Sequence, residues 1–187
     1  MLTPEDPYAL WTGEGRVCLL APLFVLYDYS FRPSHVPSDK AIAWAAESGV
    51  LCSDEALLFP DPYPSRAAWC AARCRYTERR LREASSQAPL ILINHFPLRQ
   101  DLVRLKWIPR FSLWCGTRCT EDWHIRFSAS VVVYGHLHIR GTHFRDGVRF
   151  EEVSMSHSAY WHDPGGLEPY LREILPGPPS QPSGTGL

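Results

Sequence analysis

The sequence predicts a mixed α/β fold, and three observations carry that prediction. Two apolar runs, Leu90-Ile91-Leu92-Ile93 and Val131-Val132-Val133-Tyr134, are too short for helices and show no polar alternation. They read as sheet strands covered on both faces. A long stretch rich in Ala, Leu, Arg and Glu precedes the first run and reads as a helix. Finally, Asp146-Gly147 separates two β-prone segments, and that dipeptide is the strongest short hairpin signal.

The elements follow in order. Residues 1–15 carry Pro4, Pro7, Gly13 and Gly15 and read as loop. Residues 17–27 are apolar and β-prone, broken once by Pro22, and predict one buried strand or two short ones. Ser38 is placed to cap a helix over 39–47, with Gly49 as its stop. Pro60, Pro62 and Pro64 make a stiff connection, after which Ser65 caps the long helix, ending near Ser86. The strands at 90–93 and 131–134 come next, then the hairpin of Gly141–Arg145 and 148–153. A last short helix is expected at 168–175. From 176 to 187 the chain is mostly Pro, Gly and Ser, and disorder is expected there. The prediction is one domain over 1–175 and a tail over 176–187.

Composition excludes several function classes. The net charge of −1 supplies no broad field for nucleic acid or a membrane surface. No run approaches the ~18 apolar residues of a membrane span. The opening Met1-Leu2-Thr3-Pro4-Glu5-Asp6 lacks the basic and apolar regions of a signal peptide, so a cytoplasmic location is expected. The six cysteines are too sparse for a secreted disulfide scaffold and are expected as free thiols.

The chemistry concentrates where the two apolar runs end. Asn94-His95-Phe96-Pro97 follows the first and Gly135-His136-Leu137-His138 the second. Ligands in layered α/β folds collect at the carboxyl ends of strands. Imidazole suits Zn, Fe, Mn, Ni or Co better than Mg or Ca. Gly135 permits a tight turn and a close backbone approach. Two histidines two positions apart in such a turn can reach two adjacent metals, which together can hold a phosphoryl group. A lone strand-end histidine is more often a hydrogen-bonded structural residue, so the pairing of the two motifs carries the reading.

The stretch 90–138, continuing through Asp146-Gly147 to Glu151-Glu152-Val153-Ser154, resembles the last two metal motifs of the calcineurin-like metallophosphoesterases. The resemblance implies a four-layer αββα sandwich with mixed β-sheets and two divalent metal ions at one edge. It implies that His95 and His136 bind one metal and His138 the other. It further implies hydrolysis of a phosphomonoester or phosphodiester by a metal-held hydroxide. That family opens with Asp-x-His, Gly-Asp-x-x-Asp and Gly-Asn-His-Asp or Glu, and none of these occurs upstream of His95. The bridging carboxylate and the group assisting the leaving group are therefore missing, and no catalytic residue is assigned. A C-terminal half, carrying part of the site and inactive alone, is the expectation.

Other signals are weaker. Cys70, Cys74, Cys115 and Cys119 have spacings compatible with a four-thiolate zinc site, which would make the chain a zinc-stabilised binding module. Cysteines at i and i+4 of a helix facing a core explain the first pair equally well. Among the arginines between the two histidine motifs, Arg118, beside Gly116-Thr117, is the best candidate for a substrate phosphate. A phosphoester substrate is the partner implied.

Overall fold

The computed structural model describes residues 1–13, 15–155, 166 and 168–175. Among these, one six-stranded mixed sheet forms the centre. Its strands are β1 (Ala9–Trp11), β2 (Cys18–Pro22), β3 (Leu90–Ile93), β4 (Ala129–Tyr134), β5 (Gly141–Arg145) and β6 (Val148–Glu152). The order across the sheet is β1-β2-β3-β4-β6-β5. Strands β2, β3, β4 and β6 run parallel, while β1 and β5 pair antiparallel at the two edges. All four parallel strands therefore end at one edge of the sheet.

The two faces are covered differently. Alternation along β3 sends Leu90 and Leu92 to one side and Ile91 to the other. Leu90, Leu92, Val132 and Phe150 join a large core with Cys70, Cys74 and Leu81 of the long helix α3 (Arg66–Ser85). That helix follows the short α1 (Ala41–Ala46) and α2 (Asp54–Leu57). It begins as expected, with Ser65 Oγ accepting from the Ala68 N–H at 3.1 Å. Trp123, on the single turn α4 (Trp123–Arg126), closes the same core. The other face carries only a small cluster of Cys18, Ile91, Val131 and Val133, partly covered by Ile174 and Leu175. Ile93 on that face is 37% exposed.

Several expectations are refined. Strand β1 lies in a stretch expected as loop; three residues carry no periodic signal, and pairing with β2 makes the strand. The expected strand over 17–27 ends at Pro22, opposite Ile93, the last residue of β3, with one further bond from Leu23 N–H to Ile93 O at 2.7 Å. Ser38 makes no side-chain cap; it opens a 3-10 turn, Ser38–Lys40, that leads into α1. Gly49, at φ 72°, stops that helix as expected. The hairpin turn is also as expected, with Asp146 and Gly147 both at positive φ, the mark of a type I′ turn.

The helix expected at 168–175 is reduced to a 3-10 turn, Glu168–Tyr170. The cause is tertiary. Arg149 on β6 donates to the Ile174 carbonyl at 2.6 Å, and Arg172 pairs with Glu151 at 3.4 Å. These contacts hold the segment against the sheet in place of helical bonds. The tail expected at 176–187 lies outside the described residues. No described helix is long and apolar enough to cross a membrane.

The unequal faces give a stability test. Leu92→Ala should cost about 2–5 kcal/mol, the usual range for a fully buried leucine. Ile93→Ala, on the thinly covered face, should cost under half as much. Urea denaturation of both variants measures this, and equal losses would contradict the assignment of faces.

Candidate functional site

Strand β3 delivers Asn94 and His95 at the shared edge, and β4 delivers Gly135 and His136 beside them. The ladder continues beyond the strands, with Asn94 N–H to Val133 O at 3.0 Å and Gly135 N–H to His95 O at 3.0 Å. Asn94 is 6% exposed and its amide is fully used. Its Oδ1 accepts from Val25 N–H at 3.1 Å, and its Nδ2 donates to Val25 O and Phe96 O at 3.2 and 2.8 Å. The side chain thus acts as a backbone substitute, tying the loop after β2 to the loop that carries His95.

The turn after β4 holds two left-handed side chains, His136 at φ 71° and His138 at φ 56°. Non-glycine residues seldom adopt this region, although histidine tolerates it better than most. Gly135 does not supply the positive φ. Its need is clearance, since an added Cβ would lie 3.1 Å from Ser154 Oγ and 3.9 Å from His95 O.

The two imidazoles converge. His95 Nε2 lies 3.1 Å from His136 Nδ1, with ring centroids 5.0 Å apart. Such a contact requires one donor and one acceptor nitrogen, which neutral rings provide. Burial holds the His136 pKa down to about 4, helped by the nearby His95 and His138 charges. Burial also lowers the His95 pKa, with His138 adding to the effect and Asp54 and Glu152 opposing it. Both rings are therefore in the neutral form that binds metals. Phe96 and Phe111 pack on His136 at centroid distances of 4.5 and 5.9 Å. His136 Nε2 is buried and makes no well-formed hydrogen bond, although the Trp114 backbone favours its charged form.

His138 lines the same cleft of about 480 Å³, with His95, His136 and Ser154. Among the described residues, however, no three His, Cys, Asp or Glu side chains converge closely enough to hold a metal ion. The residues present fit a divalent metal as part of a donor set: a neutral imidazole pair whose facing nitrogens, 3.1 Å apart, are close enough for one cation to bind both. They do not form a complete set. The two carboxylates whose charge reaches His95 are already engaged. Asp54 accepts from Tyr27 O–H at 3.1 Å, and Glu152, fully buried, accepts from Ser154 N–H at 3.2 Å and from its hydroxyl.

Two other candidates lie elsewhere. Arg118 does not line the histidine cleft; its guanidinium donates to Ser30 O and Arg32 O at 2.9 and 3.4 Å. Cys70 and Cys74 face each other within α3 at 4.0 Å, while Cys115 donates to Phe111 O at 3.4 Å. The described thiols do not gather into a three-ligand site, which removes support for the zinc module. Asn94 and Phe111 were not singled out from the sequence. For Asn94 a signal existed, because a polar amide directly after a buried strand needs partners.

No family model matches the chain. It is 45% identical over 185 residues to the "[Acyl-carrier-protein] phosphodiesterase PptH" of Mycobacterium tuberculosis, across 97% of this chain and 56% of that protein. The crystal structure of phosphopantetheinyl hydrolase (PptH) from Mycobacterium tuberculosis superposes with a TM-score of 0.89 at 44% identity, over 97% of this chain and 64% of that one. The chain thus spans somewhat over half the length of the curated relative it matches, and shares its fold throughout that span.

Proposed function

We propose that this chain carries the histidine side of a metal-dependent phosphodiesterase site of the calcineurin-like type. The substrate proposed is a phosphopantetheinyl group on an acyl carrier protein. The observation that carries the reading is the contact of two neutral imidazoles, one from each strand-end motif, at the shared edge of two parallel strands. The similarity to a protein named as an acyl-carrier-protein phosphodiesterase supports the reaction class and the substrate.

In this reading His95 and His136 hold one divalent cation, Mn, Fe, Zn, Ni or Co, and His138 contributes to a second. Such cations supply polarisation of a phosphoryl oxygen and of the attacking water. The chain's own residues do the positioning. Asn94 fixes the His95 loop, Phe96 and Phe111 wall the His136 ring, and burial keeps the donors neutral. Leu23, Ile93 and Val133 give the cleft an apolar floor beside the histidines. The four-layer sandwich belongs to this proposal as well. The thinly covered face bearing Ile93 and Val133 is where a second sheet would pack.

The direct test incubates a longer polypeptide that adds the acidic motifs to this chain with Mn or Zn and phosphopantetheinylated acyl carrier protein and follows loss of the arm by intact-mass spectrometry. Hydrolysis that stops with a chelator and returns with added metal is expected. Metal-independent turnover would refute the mechanism. His136→Ala should lower turnover more than about 100-fold, ~2.7 kcal/mol on transition-state arithmetic, with an unchanged circular dichroism spectrum. Retained activity would remove His136 from the site.

A second prediction follows from the partial donor set. Neutral imidazoles do not offset the repulsion of two cations ~3.5–4 Å apart. Equilibrium dialysis of residues 1–187 alone should find a single weakly held ion at most, with hydrolysis far below that of a longer polypeptide containing the acidic motifs. Two tightly bound ions per chain would show that the site is complete without them.

A further inference from the structure

We propose that the loops following β2 and β3 form a second anion site, built on Arg32 and Arg118, that takes a phosphate-class oxyanion. The proposal is independent of the histidine site. A cavity of about 160 Å³ is lined by Ser30, Arg32, Pro33, Ser34 and Arg118. Both guanidiniums are held by backbone carbonyls. Arg32 donates from Nε to Val36 O at 2.8 Å and from Nη1 to Tyr29 O at 3.2 Å. Arg118 donates from Nε to Ser30 O and from Nη2 to Arg32 O.

Surface arginines are usually solvated or paired. Arg66, Arg99, Arg110, Arg126 and Arg145 each meet a carboxylate within 4.0 Å, whereas Arg80 and Arg140 are single guanidiniums on backbone carbonyls. Among the described residues Arg32 and Arg118 likewise meet no carboxylate, but they share one cavity. The acid between these loops, Asp28, is engaged otherwise, accepting from Ser30 N–H at 3.0 Å and Thr117 Oγ1 at 2.8 Å. Two like charges fixed at one cavity repel unless an anion sits between them. The carbonyl contacts leave Arg32 Nη2 and Arg118 Nη1 uncommitted, and guanidinium edges match phosphate oxygens. Ser30 Oγ accepts from the Arg118 N–H at 2.9 Å, so its own proton remains to donate. Ser34 adds a second hydroxyl at the rim.

The test is a phosphate titration of ¹⁵N-labelled protein followed by amide shifts, at constant ionic strength with chloride as the control anion and a chelator present. Inorganic phosphate and glycerol phosphate are compared, and the tighter ligand tells whether the site takes free phosphate or a phosphomonoester. Saturable shifts at the Ser30, Ser34 and Arg118 amides, with a roughly millimolar dissociation constant, are expected. The pair Arg32→Gln and Arg118→Gln keeps donors for the carbonyls and should weaken binding at least about tenfold. Arg32→Lys, which keeps the charge but loses the fork, should weaken it less and guards against a misfolded double variant. Equal shifts with chloride, shifts confined to Gly135 and His138, or unchanged affinity in the Gln pair would overturn the assignment.

Discussion

The site depends on the parallel ladder between β3 and β4 running past the last residue of each strand. Ile93 pairs with Val133, and the hydrogen bonds then continue through Asn94 to Val133 O and Gly135 to His95 O. Parallel pairing alone brings two carboxyl ends to one edge. The extra bonds bring two histidines, forty-one residues apart in sequence, to a nitrogen separation of 3.1 Å. A slip of one residue would turn each side chain to the opposite face and separate the rings. The apolar alternation of Leu90 to Ile93 between two unequal cores opposes such a slip.

Around that ladder the chain accepts costs that a purely structural turn would not need. His136 and His138 are both left-handed, a conformation worth ~1–3 kcal/mol of strain for such residues. Asn94 is a buried amide, unfavourable without partners, and all its bonds go to loop backbone. Burying His136 disfavours its charged form. Each cost falls on a residue that positions or forms the imidazole pair, and strain of this kind gathers where side chains are aimed for function.

Much of this was legible in the sequence, and the exceptions have physical causes. The strand at Leu90–Ile93, the α3 cap at Ser65 and the Asp146-Gly147 turn rest on local rules that tertiary context did not override. The motif histidines were visible because two apolar runs each lead, one residue later, into a histidine, and the two motifs together resemble a known metal pair. What escaped was decided by distant partners. Strand β1 exists through β2, and the segment after Tyr170 is held by Arg149 and Arg172 in place of its own helical bonds. Arg118 looked suited to a phosphate near the histidines, but the carbonyls of Ser30 and Arg32 draw it to another loop. Local sequence reports which residue types can do the chemistry. It reports poorly where a long side chain will point.

The electrostatics of the cleft explain why the imidazole pair cannot be the whole of a two-metal centre. Neutral donors leave the charge of two cations unopposed, and at ~4 Å even an effective dielectric of about 20 leaves several kcal/mol of repulsion per pair of unit charges. An anion between the cations is required. Asp54 and Glu152 are the described carboxylates whose charge reaches His95. Asp54 holds the Tyr27 hydroxyl, and Glu152 is fully buried beneath Ser154. Drawing either onto a metal would break bonds that fix the loops carrying the site. In the proposed reading Glu152 would act only through its electrostatic influence on His95. In the proposed two-metal reading, the bridging anion would have to come from groups outside the described set, and acidic side chains packed against the cleft's open side would meet that demand.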